Sequence, residues 1–205
     1  DYDVAVDLRD ADLADADLSD ADLSRTNLSG ANLSGANLHR AYLFAANLCE
    51  VNLNGANLRR TDLRMAKLLK TNLDETNLNE ANLSGAILSG AVFRDAQIRR
   101  AIFRNAKLRG AIISGVDLSR ADFRFADLRE TQFSRTDLSG ADFSGADFTE
   151  SYCGYTMFAD LDLRQVEGLA TIVHSAPSTV GIDTIYRSSG NIPEIFLHGA
   201  GVPVG

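Results

Sequence analysis

Between residues 6 and 165 the chain keeps a period of five without one insertion or deletion. Stepping by five from Leu8 to Leu163 gives 32 positions, which hold 22 Leu, 7 Phe, 2 Ile and Cys153. Two residues before each sits a second series of mostly small side chains: 20 Ala, 7 Thr, 3 Val, Ser151 and Leu161. A helix needs apolar residues three and four apart and a regular strand needs every second one, so a period of five excludes both as long elements. The two series lie two residues apart, so in extended backbone they face the same side. The other residues of each unit are mostly Asp, Asn, Ser, Gly and Arg, which suit turns and water. A chain that turns in one sense after each short extended piece winds up with Leu and Ala inside, which is the mark of a solenoid.

Units such as Ala31-Asn32-Leu33-Ser34-Gly35, Ala21-Asp22-Leu23-Ser24-Arg25 and Ala141-Asp142-Phe143-Ser144-Gly145 resemble the pentapeptide-repeat family, over about four fifths of the chain. The resemblance implies an all-β fold: a right-handed quadrilateral β-helix, four pentapeptides to the coil. The period alone does not fix that geometry. Coils of 20 residues make about eight over 6–165, a rod about 38 Å long at about 4.8 Å per coil. Phe103, Phe123 and Phe143 recur at the same interval of 20. The expected division is a β-helix over 1–165 and a capping or connector segment over 166–205.

The net charge of −8 conceals three bands: −8 over residues 1–22, +7 over 23–116 and −7 over 117–205. With a 20-residue coil, Arg40, Arg59, Arg60, Arg99, Arg100 and Arg120 share one corner, interrupted by Glu80. A second edge carries Arg64, Arg104, Arg124 and Arg164. Such stripes either meet an acidic partner or neutralise Asp side chains on adjacent rungs. No aromatic residues alternate with them, which argues against direct contact with single-stranded nucleic acid. Ile87, Val92, Ile102 and Ile112 replace the usual Asp or Asn before a large residue, and place branched apolar groups outward as a second candidate surface. Asp122, Asp142 and Asp162 form a column of like charges that needs cations, and Arg104, Arg124 and Arg164 are placed to supply them.

The register fails after Leu163, where Gly168 falls on the next large position and Leu161 already overfills a small one. Ser178 is an expected cap for a helix carrying Ile182, Ile185 and Tyr186 that stops at Gly190. Pro193 opens a second short helix with Ile195, Phe196 and Leu197. All of these, with Leu161, are expected to cover the open last rung. The run Gly181-Ile182-Asp183-Thr184-Ile185-Tyr186, then Ile192-Pro193-Glu194 and Phe196-Leu197-His198-Gly199, also resembles the connector of bacterial proteins that join pentapeptide repeats to a Toll/interleukin-1 receptor (TIR) domain. That resemblance implies a following domain of a kind that can cleave NAD in antiphage defence. With Asp1 in place of Met, the chain reads as a piece of a longer protein.

No apolar run approaches a membrane span and no signal segment is present, so the expected place is the cytoplasm. Cys49 faces out, Cys153 faces in, and no bridge joins them. His39, His174 and His198 lack metal-ligand spacing, and no phosphate-cradling glycine loop occurs. No catalytic, cofactor-binding or metal residue is assigned, and no enzymatic activity is expected of this chain. The leading reading is an interaction or oligomerisation scaffold, working through a protein partner or itself. The alternative is a duplex-DNA mimic that binds a type II topoisomerase, which the overall acidity favours and the basic middle band opposes.

Overall fold

In a computed structural model, which describes residues 6–203, the chain is a parallel β-solenoid with four faces. Residues 1–5, 204 and 205, included in the expected segments 1–165 and 166–205, lie outside the described residues. Pairing always joins a residue to the one 20 positions on, from Asp7↔Asn27 to Asp147↔Glu167. One face reads Asp7, Asn27, Asn47, Lys67, Ile87, Lys107, Asp127, Asp147 and Glu167 from rung to rung. The bonding is the parallel kind: Leu33 N–H donates to the Asn52 carbonyl at 2.8 Å, and Asn52 N–H donates back to Ala31 at 3.1 Å. Each unit then turns, with the small residue's N–H on the preceding large residue's carbonyl, as from Ala36 to Leu33 at 3.1 Å.

The turn imposes one conformation throughout. Every fifth residue from Asp10 to Asp160 has a positive φ, and most of these are not glycine. An L-residue in the left-handed region costs roughly 1–2 kcal/mol. The rod offsets that cost through its column of buried side chains, in which Leu33, Leu53, Leu73 and Phe93 follow one another on one face, all shut off from solvent. Phe103 stacks on Phe123 at 4.6 Å between ring centroids, and Phe123 on Phe143 at 5.2 Å. Buried threonines in the small series hold the coils together: Thr71 Oγ1 donates to Leu48 O at 2.7 Å and Thr131 Oγ1 to Leu108 O at 2.9 Å.

Most pairings are single bridges, but the face with β-branched outward residues becomes a continuous sheet. β1 (Val92–Arg94), β2 (Ile112–Ser114), β3 (Gln132–Ser134) and β4 (Tyr152–Gly154) pair in sequence order. β5 (Met157–Phe158) lies on the next face. After the register stops, the tail does not leave the rod. A 3-10 turn (Leu169–Thr171) leads into β6 (Val173–His174), which pairs with β4, and β7 (Thr179–Val180) pairs with β5. The pairing offset grows from 20 at Asp147↔Glu167 to 21 at Tyr152↔Val173 and 22 at Met157↔Thr179. The count of about eight regular coils is therefore exceeded by one irregular turn drawn from the tail.

The fourth side of that turn is α1 (Ile182–Arg187), and α2 (Glu194–Gly199) covers the end. Ser178 does not cap α1, which starts at Gly181 without a side-chain cap; its Oγ accepts instead from Thr156 N–H at 3.3 Å. α1 supplies hydroxyls where a strand is missing. Leu161 N–H donates to Thr184 Oγ1 at 3.2 Å and Leu163 N–H to Ser188 Oγ at 3.1 Å, while Thr184 Oγ1 donates to Phe158 O at 2.9 Å. Two buried side chains, i and i+4 on one helix face, thus satisfy an exposed strand edge.

Of the residues expected to cap, Leu161 and Phe196 are buried, and Ile185 and Leu197 pack against the core. Ile182, Tyr186 and Ile195 do not: they stand 71%, 77% and 64% exposed. Helix α1 turns its Thr184 and Ser188 side to the rod, so the Ile182 and Tyr186 side faces water. Leu169, Ile192 and Ala200 take part in the cap in their place.

Candidate interaction surface

The outward residue before each large one does two jobs. Asn52 Oδ1 accepts the Asn54 N–H at 3.2 Å, closing the local turn, while its amide donates to Asn32 Oδ1 on the preceding rung at 3.3 Å. Asn72 continues the ladder to Asn52 at 3.2 Å. Aspartate closes the turn equally well but has no hydrogen to donate, so Asp-rich rungs need cations. The sequence supplies them as Asp, a large residue, then Arg. Arg64 pairs with Asp62 at 2.7 Å, Arg124 with Asp122 at 2.9 Å, Arg129 with Asp127 at 2.7 Å and Arg164 with Asp162 at 2.6 Å. Arg104 also reaches Asp122 and Arg124 approaches Asp142 at 3.5 Å, so the column at 122, 142 and 162 is neutralised.

Arg64, Arg129 and Arg164 hold the carboxyls of Asp62, Asp127 and Asp162 below the ordinary range. For Asp127 the chief cause is the side-chain hydrogen bond from Arg129, opposed by burial. A lowered value means that the pair stabilises the fold above the ordinary carboxyl pKa, 3.8, and that this is lost as pH falls through the folded value. Because water reaches Arg129, the contribution is that of a surface pair, small and weakened by salt. Asp127→Asn keeps the acceptor and removes the charge. Its unfolding midpoint in urea is expected below wild type at pH 6, the gap closing as both are titrated below 3.8; a gap that persisted in acid would show a packing effect instead.

On the corner that carries Arg59, Arg60, Arg99, Arg100 and Arg120, the arginines fare differently. Arg59 and Arg60 both hold Glu80, at 2.9 and 2.8 Å, and Arg99 holds Asp117 at 2.6 Å. Among the described residues, no ion pair forms at Arg100 or Arg120. Both line a shallow depression with Arg99, Ser119, Ser139, Gly140 and Asp160.

The outward apolar residues do not form one patch. Ile87 and Ile102 lie on separate faces, while Val92 and Ile112 are neighbours in β1 and β2. That second pair belongs to a longer stripe, through Gln132 to Tyr152 and Val173, which the sequence reading did not trace because Val173 joins only through the lengthened pairing offset.

Neither thiol nor imidazole makes a reactive site. Cys49 and Cys153 are free, and burial pushes the Cys153 thiol up to about 12. His174 lies against Phe196 at 5.1 Å between rings, with neither nitrogen hydrogen-bonded, and burial lowers its pKa. His198 is exposed, and among the described residues no group of His, Cys, Asp and Glu is placed to hold a metal ion. Nor is any helix among them long and apolar enough to cross a membrane.

A family model described as pentapeptide repeats (8 copies) matches residues 7–43, 41–79, 76–115 and 117–152. The chain belongs to the pentapeptide-repeat family. Pentapeptide-repeat proteins are structural repeat scaffolds that typically mediate protein interactions. No curated protein matches this chain. Among solved structures it is similar to HetL, a pentapeptide-repeat protein involved in heterocyst differentiation regulation from the cyanobacterium Nostoc sp. strain PCC 7120. That match has 27% identity, covers 85% of this chain and 89% of HetL, and has a TM-score of 0.43. Full-length QnrB1, a plasmid-mediated fluoroquinolone resistance protein, matches at 16% identity over 75% of this chain and 79% of its own, with a TM-score of 0.44. A pentapeptide-repeat protein of the Arabidopsis thaliana thylakoid lumen matches at 24% identity over 70% and 69%, with a TM-score of 0.28. These superpositions are loose, and the family rests on the repeat itself.

Proposed function

We propose that this pentapeptide-repeat rod is a cytoplasmic interaction scaffold that positions a TIR effector domain following its tail. The carrying observation is the cap. Ile182 and Tyr186, one turn apart on α1, and Ile195 on α2 stand in water at the carboxy-terminal end, while the other side of α1 is locked to the rod by Thr184 and Ser188. Exposed apolar groups on a rigidly held element mark a contact surface, and a domain joined there is held at a fixed angle to the rod. The connector-like run contains Ile182 and Tyr186 and flanks Ile195 on both sides, and free thiols at Cys49 and Cys153 are in keeping with a reducing compartment.

The test is the full-length protein with Ile182→Ser, Tyr186→Ser and Ile195→Ser. The reading expects a TIR coding sequence beyond Gly205. It expects the triple variant to unfold at the wild-type denaturant concentration and to lose the protection of its interdomain connector against protease. A stop codon directly after Gly205, or unchanged protection, would remove the effector from the proposal. The duplex-mimic reading has less support, since Arg64, Arg104, Arg124, Arg129 and Arg164 neutralise the carboxylates a mimic would present.

A further inference from the structure

We infer that the corner formed by Arg100 and Arg120 is a binding site for a phosphoryl dianion, separate from the cap surface. Two rungs before Arg100 the same corner carries its own counter-charge. Arg59 and Arg60 converge on Glu80, which stands 20 residues after Arg60 and so occupies the next rung at the same corner. One carboxylate there serves two guanidinium groups. Past Glu80, on the next two rungs of the same corner, stand two arginines with no carboxylate bonded to them. Arg100 and Arg120 occupy consecutive rungs at that corner, both in the left-handed conformation, with φ of 58° and 60°. Their backbones are therefore about 4.8 Å apart. The residue on the next rung, where Glu80 stands for the first pair, is Gly140.

Glycine fills little of the floor. A side chain begun at Gly140 would lie 3.6 Å from Asp160 Oδ2 and 3.7 Å from Arg120 Cγ, so the Asp160 carboxylate and the Arg120 stem flank it. The acids around the corner are each paired with another arginine: Glu80, one rung before Arg100, with Arg59 and Arg60 at 2.9 and 2.8 Å, Asp117 with Arg99 at 2.6 Å, and Asp160 with Arg187 at 2.7 Å. Two stacked cations that no carboxylate pairs repel, and an anion of two charges would serve both of them as Glu80 serves Arg59 and Arg60.

A second observation, independent of the arginines, lies in the same depression. Elsewhere a serine two residues after Asp or Asn turns its hydroxyl back to that residue, as Ser84 does to Asn82 and Ser144 to Asp142, both at 2.6 Å. Ser139 gives its backbone N–H to Asp137 at 2.9 Å, but its Oγ is shielded from solvent and has no partner. A buried hydroxyl left without an acceptor is costly, and a phosphoryl oxygen is an acceptor that suits both it and a guanidinium. The set of two free guanidinium groups, a spare hydroxyl and a glycine floor fits a phosphate monoester or a diphosphate. It has no aromatic platform for a base.

The 205-residue chain is titrated calorimetrically at physiological ionic strength with inorganic pyrophosphate, ADP and a phosphoserine peptide. Saturable binding of at least one is expected, and the strongest of the three distinguishes a small-molecule source from a phosphoprotein. Arg100→Gln with Arg120→Gln is expected to weaken it at least tenfold. Ser139→Ala is expected to weaken it about threefold, and Arg135→Gln to leave it unchanged. Arg135 is the control because it too lacks an ion pair but lies at another corner. Unfolding curves that match wild type confirm that each variant keeps the rod. No saturable binding, an equal loss in Arg135→Gln, or binding only of duplex DNA with a steep salt dependence would each overturn the site.

Discussion

Phe123→Ala is expected to destabilise the rod by about 3–5 kcal/mol, read from the urea midpoint and slope. Phe123 is wholly buried, and its ring is the middle member of a stack, 4.6 Å from Phe103 at an interplanar angle of 2° and 5.2 Å from Phe143. Removing it loses the transfer energy of the ring, leaves a cavity and cuts two ring contacts together. The backbone cannot collapse to fill the space, because each coil's perimeter is set by four turns and by hydrogen bonds to the coils on either side. In a solenoid, stability is close to a sum of rung terms and nearest-neighbour interfaces. A break at this rung is therefore also expected to lower the slope of the transition, as the two halves uncouple. A loss under 1 kcal/mol with an unchanged slope would mean that the column repacks freely.

Gly168→Ala is the second large effect, at about 3 kcal/mol or more. Gly168 sits where a large residue is due, with φ of 77°. A Cβ there would fall 2.6 Å from Thr149 Cα and closer still to Thr149 N, which is backbone of the preceding rung. The left-handed conformation costs an L-residue roughly 1–2 kcal/mol, and overpacking against backbone adds typically 1–3 kcal/mol. Gly190→Ala separates the two causes. Its φ is 76°, yet nothing lies within 4 Å of the new atom, so only the first cost applies. Limited proteolysis adds location: Gly168→Ala should expose the tail from the 3-10 turn onward, whereas Gly190→Ala should not. Equal destabilisation of the two variants would contradict the close approach to Thr149.

The repeating half of the molecule was legible because its constraint is local and is stated at every unit. Leu48, Leu68, Leu88 and Leu108 need no distant information to be placed inside. Even the Arg pairing was partly readable, since Asp62-Leu63-Arg64 and Asp127-Leu128-Arg129 put each cation beside its own carboxylate. The cap was not readable to the same degree. Ile182, Tyr186 and Ile195 look like core residues in the sequence, and Thr184 and Ser188 look like polar surface. Their roles are exchanged because the last rung offers a row of unpaired N–H groups, and a buried donor demands an acceptor before it demands an apolar neighbour.

The sequence by itself determined the winding, the inward and outward sides, the positions of the turns and the family. These follow from a period that repeats with every unit, so any error of register would bury Asp and expose Leu. Only the tertiary structure decided which of the outward residues sharing a corner or a face pair with one another, because a side chain such as Arg124 has carboxylates within reach on its own rung and on the next. It joined Tyr152 to Val173 through an offset of 21, and left Arg100 and Arg120 without an ion pair where Arg59 and Arg60 hold Glu80.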